Sequence, residues 1–218
     1  MVDVAGARVV AVLTRAPSSG GKTRLFQALG RPPDPRLLTA LLLDTIDGAA
    51  APGIVRVISV TPPSACDEVA SIVPAGIGVM PQSEGDLGER MRHAFASLFA
   101  NGAAAVVLIG SDLPAMTSSI VATAFEILER DAGALVLGPA VDGGYYLIGA
   151  ARLPPVFAGI DWGSDTVLAQ TQAAAFVAGL HVSLIDPLAD VDTAEDLQRV
   201  AKALPASRTA AWPRDGRK

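Results

Sequence analysis

The sequence has little that would place it outside a reducing, aqueous compartment. Cys66 is the single cysteine among 218 residues, so an internal disulfide or a cysteine cluster for a metal is excluded. Apolar runs are broken by Gly, Asp or Pro well before the roughly 18 residues that a membrane span needs. Residues 1–7 carry acid and glycine and lack the basic-then-apolar build of a signal peptide. We therefore predict a soluble cytoplasmic protein without a membrane span.

The chain also lacks an excess of basic residues. It has 17 Lys and Arg against 22 Asp and Glu, a net charge of −5 and a pI near 5.0. Nucleic-acid-binding domains present basic patches, so no nucleic-acid partner is expected. Half of the residues are hydrophobic, which is enough for the core of one large domain. We predict a single domain over residues 1–204 and a frayed, polar and basic tail over residues 205–218.

Apolar runs and helical periodicity alternate along the chain. Strands are predicted at residues 9–13, 54–60, 77–80, 106–109, 134–137, 145–148 and 181–185, and helices at residues 22–29, 35–50, 64–72, 85–100, 118–130, 165–177 and 193–204. This alternation predicts an α/β fold with helices on both faces of a sheet. The turn at residues 142–144 is too short for a crossover helix, so one antiparallel strand is expected in a mixed, mainly parallel sheet.

A strand predicted to be buried on both faces ends just before Asp112. In open α/β sheets the ligand crevice lies beyond the carboxyl ends of the strands, so Asp112 should face it. A carboxylate there suits Mg²⁺ or Mn²⁺, which bridge protein carboxylates to substrate phosphates. The alternative is that Asp112 only caps the helix after Pro114, although Thr117 and Ser118 lie closer to that helix.

A second acidic segment could complete the metal site. Asp190 and Asp192 lie two residues apart, and in an extended segment their side chains would point to the same side. With Asp112 they form the predicted set of metal ligands. Asp192 or Thr193 is also a natural cap for the helix that follows. Both roles remain open at this point.

The loop after the first strand has the composition of an anion site. Gly20 and Gly21 let backbone N–H groups approach a phosphate, the following helix start adds partial positive charge, and Lys22 and Arg24 add full charges. Residues 16–23 also match a relaxed P-loop pattern. A small-molecule kinase or NTPase is therefore an alternative at this point.

A third stretch, residues 82–91, could contact a nucleobase. Gln82 follows a short strand, where its amide could bind a base edge, and Gly85 would let the base lie against backbone. The alternative is an ordinary helix start with acidic residues at its positive end.

Six segments together resemble the DUF2064 family, also called radical-SAM/selenodomain-associated transferase 1. They occur in the family's order at residues 22–25, 85–91, 110–114, 142–149, Trp162 with Ser164, and 190–193. The family is GT-A glycosyltransferase-like and is similar to the molybdenum-cofactor and 2-phospholactate nucleotidyltransferases. One departure is that Arg15 stands where the family usually has Lys, in a loop one residue shorter before Lys22.

The resemblance implies a GT-A, or nucleotide-diphospho-sugar transferase, fold. It implies that Lys22 and Arg24 hold the donor phosphates and that Asp112 and its partners hold Mg²⁺ or Mn²⁺. These three residues are the predicted catalytic set. The residues that the resemblance places on the acceptor side are Asp142, Gly143, Gly144, Tyr145 and Trp162.

We predict a metal-dependent transferase that uses a nucleotide-activated donor, with a nucleotide-diphospho-sugar favoured, and a small-molecule acceptor. Lys22 and Arg24 would neutralise the donor diphosphate, and the metal at Asp112 would stabilise charge on the leaving phosphate. The alternatives are a nucleotidyltransferase that releases pyrophosphate, a P-loop-type small-molecule kinase, and a non-catalytic nucleotide-binding protein. A homodimer is left open.

Overall fold

The computed structural model describes residues 2–212 and builds them around one seven-stranded sheet. The strands are β1 (Arg8–Arg15), β2 (Ile54–Thr61), β3 (Gly78–Pro81), β4 (Ala105–Ile109), β5 (Ala134–Pro139), β6 (Tyr145–Ala150) and β7 (His181–Leu184). The helices are α1 (Thr23–Ala28), α2 (Pro35–Gly48), α3 (Cys66–Ile72), α4 (Leu87–Ala100), α5 (Ser118–Arg130), α6 (Val167–Val177), α7 (Ala194–Ala203) and α8 (Arg208–Ala211). Except for α8, these elements agree with the predicted ones to within a few residues.

The sheet has the strand order β3-β2-β1-β4-β6-β5-β7. Strand β6 runs antiparallel to both of its neighbours, β4 and β5, and the other neighbouring strands are parallel. The predicted mixed, mainly parallel sheet is confirmed, and the short turn at residues 142–144 introduces the antiparallel strand. The all-parallel sheet that the P-loop kinase alternative requires is absent from the described chain, so that alternative is dropped.

Strand β4 lies at the centre of the sheet and is buried along its whole length. Val107 and Ile109 belong to the apolar cluster that α2 and α5 complete on one face. Val106 and Leu108 belong to the cluster that α4 completes on the other face. Burial on both faces explains the continuous apolar run in the sequence. The run stops where β4 ends, at the carboxyl end of the sheet.

A capping box fixes the start of α4 beside the same end of the sheet. The Asp86 carboxylate accepts a hydrogen bond from the backbone N–H of Glu89 at 2.8 Å, and the Glu89 carboxylate accepts one from the N–H of Asp86 at 3.2 Å. This capping box makes Leu87 the first helical residue, two positions after the predicted start at Gly85. Among the described residues, none of the helices has both the length and the apolar character to cross a membrane.

Residues 205–212 correct the prediction of a frayed tail. Helix α8 lies here, and the Asp44 carboxylate on α2 accepts hydrogen bonds from the Arg208 N–H at 3.1 Å and from the Thr209 N–H at 2.8 Å. The anchor is distant in sequence, so the polar composition of the segment gave no sign of it. Residues 213–218 of the predicted tail lie outside the described residues.

Trp212 packs this segment against α1 and α2. These helices follow the loop that contains Gly20 and Gly21, called the glycine-rich loop below. Its ring is 5% exposed, lies edge-on to Phe26 at 6.3 Å between centroids, and donates from Nε1 to Asp34 at 3.0 Å. The Arg31 guanidinium lies 4.7 Å from the indole centroid. The C-terminal segment therefore contributes to the packing that holds α1 and the start of α2.

We expect Trp212→Ala to lower the free energy of unfolding by about 3 kcal/mol, because it removes a buried aromatic side chain and leaves a cavity. Urea denaturation followed by circular dichroism measures the change. Phe176→Ala is the matched control, since Phe176 is 83% exposed and its removal should change stability by no more than about 0.5 kcal/mol. Equal effects of the two substitutions would contradict the proposed packing of Trp212.

Candidate active site at the carboxyl end of the sheet

Asp112 lies just beyond the end of β4, where the sequence places it. Two backbone contacts hold this turn. The Leu113 N–H donates to Thr45 Oγ1 at 2.9 Å, and the Asp112 carbonyl accepts from the Val191 N–H at 3.1 Å. The second hydrogen bond brings the segment before α7 alongside the end of β4.

Asp112, Asp190 and Asp192 converge at this point. Each offers a carboxylate oxygen, and the three oxygens lie within 4.8 Å of one another. Val191 between the two later aspartates is 1% exposed, so the segment turns its apolar residue inward and both carboxylates toward Asp112. Three oxygen ligands are the donor set that Mg²⁺ and Mn²⁺ prefer, so these residues fit the predicted divalent ion.

Lys22 contacts this acidic cluster directly. Its ammonium group forms ion pairs with the carboxylates of Asp112 and Asp192. Burial lowers the pKa of Lys22, but the attraction of the two carboxylates outweighs it, so the pKa is raised above its ordinary value. Lys22 therefore carries a full positive charge at neutral pH and is a poor candidate for a general base.

Asp190 shows that the cluster still has excess negative charge. Burial, followed by the charges of Asp112 and Asp192, raises the pKa of Asp190 to about 6, although Lys22 partly opposes the shift. One ammonium group thus does not balance three neighbouring carboxylates. A second cation at the cluster would remove this repulsion.

Threonines, and not the aspartates, cap the helices that follow Asp112 and Asp192. Thr117 Oγ1 accepts from the Ile120 N–H at 3.4 Å and caps α5. Thr193 forms a capping box with Asp196 at the start of α7. Neither Asp112 nor Asp192 is the cap of its following helix, and both carboxylates belong to the acidic cluster.

The glycine-rich loop adopts conformations that favour glycine. Gly20 has a φ of 70° and Gly21 a φ of 141°, and Lys22 itself is left-handed at 49°. The Ser18 N–H donates to Glu68 at 2.9 Å, which anchors the loop to α3. This backbone path carries Lys22 to the acidic cluster and Arg24 to the neighbouring cleft.

A cleft of about 540 Å³ opens beside the cluster. Its lining includes eight of the predicted site residues: Arg24, Gln82, Asp112, Asp142, Gly144, Tyr145, Trp162 and Asp190. The remaining six do not belong to that lining: Gly20, Gly21, Lys22, Gly85, Gly143 and Asp192. Of these six, Lys22 and Asp192 still reach the site through their contacts with the acidic cluster.

Gln82 borders the cleft, but its amide already has partners. The side chain is 4% exposed, and Nε2 donates to the carbonyls of Thr14 at 3.1 Å and Ser59 at 2.6 Å. Its Oε1 accepts from Arg90 at 3.3 Å. These contacts tie the ends of β1 and β2 to α4, so Gln82 has a positioning role here that its sequence context did not predict.

The aromatic wall of the cleft depends on a glycine of α4. A Cβ at Gly88 would lie 2.5 Å from Nε1 of Trp162, so the indole packs directly on the helix backbone. Tyr145 lies beside it, with its hydroxyl 4.0 Å from the Met91 sulfur. Burial raises the pKa of Tyr145, so its phenol is neutral at physiological pH.

A hydrogen bond within the turn and close packing against Asp165 fix the turn at residues 142–144. The Asp142 carboxylate accepts from the Gly144 N–H at 3.0 Å. Gly143 has a φ of 87°, and a Cβ there would lie 2.0 Å from the Asp165 carbonyl oxygen. Gly143 therefore allows the turn to pack on the segment before α6, and Asp142 has a structural hydrogen bond as well as a place in the cleft.

Arginine side chains are the main feature that sequence analysis missed. Arg15 and Arg90 both line the cleft, at the end of β1 and on the first turn of α4. In the sequence, Arg15 stands out only as a departure from the family loop. Arg90 stands inside the 85–91 segment on which the resemblance rests. Its position on the cleft side of a predicted helix could have identified it as a site residue.

Comparison with known proteins identifies sequence relatives. Residues 45–164 match the family described as "Uncharacterized protein conserved in bacteria (DUF2064)". A phosphoenolpyruvate guanylyltransferase of Nocardia farcinica (strain IFM 10152) is 30% identical over 202 residues, which cover 89% of this chain and 85% of that protein.

Solved structures share the fold. A proposed nucleotide-diphospho-sugar transferase of Desulfovibrio desulfuricans G20 superposes with a TM-score of 0.83 at 31% identity, covering 94% of this chain and 92% of that one. The 4-diphosphocytidyl-2C-methyl-D-erythritol synthase of Anaerococcus prevotii DSM 20548 gives a TM-score of 0.60 at 13% identity, covering 92% and 97% of the two chains. The second likeness concerns the fold alone.

The fold and these relatives define a transferase of the glycosyltransferase-like or nucleotidyltransferase class. Within that class, the chain belongs to the DUF2064 family. The family resemblance and the nucleotide-diphospho-sugar transferase fold predicted from the sequence are both confirmed.

We expect Gly88→Ala to displace Trp162, because the added methyl group would overlap the indole. In a Trp212→Phe background, the fluorescence of Trp162 should shift to longer wavelength as the indole becomes more exposed. The free energy of unfolding should fall by about 1–3 kcal/mol. The control is the same substitution in a Trp162→Ala background, where the loss should largely disappear. An equal loss in both backgrounds would locate the strain elsewhere.

Proposed function

We propose that the protein is a metal-dependent transferase that takes a nucleotide-activated donor, with a nucleotide-diphospho-sugar as the first candidate. The observation that carries the proposal is the convergence of Asp112, Asp190, Asp192 and Lys22 at one end of a cleft that also presents Arg24. Acidic groups suited to a divalent ion and basic groups suited to phosphates thus share one site.

The three aspartates would hold Mg²⁺ or Mn²⁺. A bound divalent ion would supply neutralisation of the charge that develops on the leaving phosphate. Lys22, charged at neutral pH, would keep the carboxylates in place and stabilise phosphate charge beside them. Arg24 would bind the donor phosphates from the cleft wall.

The sugar candidate is supported by the structural relative of Desulfovibrio desulfuricans G20. The nucleotide-diphospho-sugar transferase relative is similar over nearly the whole chain. Trp162 and Tyr145 offer an aromatic wall on which a sugar ring or an apolar acceptor could stack. We propose that this wall, with the turn at residues 142–144, forms the acceptor side.

Nucleotidyl transfer is the second candidate, and a specific observation favours it. The relative with guanylyltransferase activity in its name aligns over 89% of this chain. That reaction would release pyrophosphate from a nucleoside triphosphate, whereas glycosyl transfer would release a nucleoside diphosphate. The released product therefore separates the two candidates.

A thermal-shift screen is the first test. Nucleoside triphosphates, nucleoside diphosphates and nucleotide sugars are each added with and without Mg²⁺ or Mn²⁺. We expect metal-dependent stabilisation by at least one class, because only the folded protein presents the assembled site. Stabilisation by none of them would overturn the proposal. Phosphorus NMR of the released product, with acceptors supplied as mixed small-molecule pools, then distinguishes sugar transfer from nucleotidyl transfer.

We expect Asp112→Asn to abolish metal-dependent nucleotide binding while changing the free energy of unfolding by less than about 1 kcal/mol. The reason is that Asn keeps the shape of the side chain but removes the charge that binds the ion. Calorimetric titration measures binding, and urea denaturation measures stability. Asp67→Asn, on α3 and outside the cleft lining, is the matched control.

Comparing Asp190→Asn with Asp192→Asn shows which of these two aspartates contributes more to metal binding. Each should weaken metal-dependent binding, because each removes a carboxylate that offers an oxygen to the cluster. An Asp112→Asn protein that binds Mg²⁺ and nucleotide like the wild type would make the cluster structural and would refute the site assignment.

A further inference from the structure

The cleft contains positive charge that the proposed donor contacts do not use. Lys22 is already paired with two carboxylates, so its charge is largely compensated. Arg15 and Arg90 also line the cleft. Within residues 2–212, neither of these two arginines has a carboxylate at ion-pair distance, and Arg15 has no side-chain hydrogen bond.

Arg90 is held by neutral acceptors. Its Nε donates to the Asp86 carbonyl at 3.3 Å, and its NH1 group donates to Oε1 of Gln82 at 3.3 Å. The Asp86 carboxylate is engaged by the backbone of Glu89 as the α4 cap. Gln82 in turn is fixed by backbone carbonyls of β1 and β2. The guanidinium is thus positioned and half-buried without a paired counter-charge.

Arg15 reaches the same cleft from the end of β1. It ends β1, and its Cδ lies 3.7 Å from the place where a Cβ of Gly21 would stand, so the side chain runs along the glycine-rich loop. Burial and then the charge of Arg15 lower the pKa of Arg90, with Asp86 opposing the shift. The two guanidinium groups therefore repel one another across this part of the cleft.

Like charges facing one cleft without a counter-ion destabilise the folded chain unless a ligand neutralises them. A guanidinium group presents a planar fork of N–H donors that matches the oxygens of a phosphate or carboxylate. Two such forks on separate, anchored elements can bind one oxyanion from two sides. An ammonium group at either position would supply the charge without the fork.

We propose that Arg15 and Arg90 form an oxyanion subsite, separate from the aspartate cluster, that binds a phosphate or carboxylate group of a substrate. The inference rests on the proposed function and extends it, because it requires a substrate with an anionic group beyond the phosphates at the metal. The strand order places Arg90 away from the aspartate cluster, with Arg15 at the end of β1 between them. Asp112 follows β4 on one side of β1, whereas Arg90 follows β3 on the far side of β2.

Inorganic phosphate and pyrophosphate, added without divalent metal, test the subsite itself. The wild type should bind pyrophosphate, and Arg15→Gln and Arg90→Gln should each weaken binding about tenfold, as loss of a charge-assisted hydrogen bond predicts. Arg92→Gln is the matched control, since Arg92 is exposed on the same helix and lies outside the cleft lining. Arg90→Lys should recover only part of the affinity, because it restores charge without the fork.

Melting temperatures and circular dichroism establish that each variant is folded. Arg15→Gln keeps the test decisive should Arg90→Gln unfold, because Arg15 is exposed and has few contacts to lose. Wild-type-like pyrophosphate binding by a folded Arg15→Gln, or by a folded Arg90→Gln, would overturn the proposal. So would an equal loss in Arg92→Gln, which would indicate general attraction by surface charge.

Two further titrations distinguish the source of the oxyanion. With Mg²⁺ present, one outcome is that the arginine variants lose more affinity as the ligand grows from nucleoside monophosphate to diphosphate to triphosphate. That pattern would place a donor phosphate at the two arginines. A loss confined to small phosphorylated or carboxylated acids, with nucleotide binding intact, would place the acceptor there. Either pattern supports the subsite. Failure of the proposed function is a different result: Asp112→Asn would retain metal-dependent nucleotide binding, whatever the arginine variants do.

Discussion

The crowding of three carboxylates at the carboxyl end of β4 is the constraint on which the site depends. Burial, followed by the repulsion of Asp112 and Asp192, raises the pKa of Asp190 to about 6, and the Lys22 ammonium opposes only part of this shift. The backbone hydrogen bond between Val191 and Asp112 holds the two acidic segments together against this repulsion. Burial of Val191 in the apolar cluster of α1, α2 and α7 reinforces the same arrangement. The fold thus stabilises a charge distribution that its own side chains do not balance.

The apolar cluster around Val191 also explains why a distant segment bears on the site. Trp212 and Phe26 belong to that cluster, and α1 follows the loop that presents Lys22. Asp44 on α2 anchors the segment that ends at Trp212, and Thr45 beside it binds the turn after β4. The glycine-rich loop and the end of β4 therefore share one structural support.

Sequence patterns predicted those features that depend on local chemistry. The buried run of β4, the short turn at residues 142–144 and the spacing of Asp190 and Asp192 each follow from neighbouring residues, and the structure contains all three. Features that depend on distant partners were not predictable. The inward amide of Gln82 needs carbonyls from β1 and β2, and the ordered segment before Trp212 needs Asp44. A polar residue gives no local sign of whether its partner is water, a ligand or remote backbone.

The two signs of charge in the cleft make its ligands interdependent. A divalent cation at the aspartates would relieve carboxylate repulsion, and a phosphate near the arginines would relieve guanidinium repulsion. Lys22 lies between these effects, because its pairing with Asp112 and Asp192 limits what it can offer to a phosphate. Neutralising those carboxylates would release the ammonium for an anion. Cation and anion should therefore bind with positive coupling, and by linkage each must strengthen the other by the same factor. Neither ligand alone would balance the charges of the cleft.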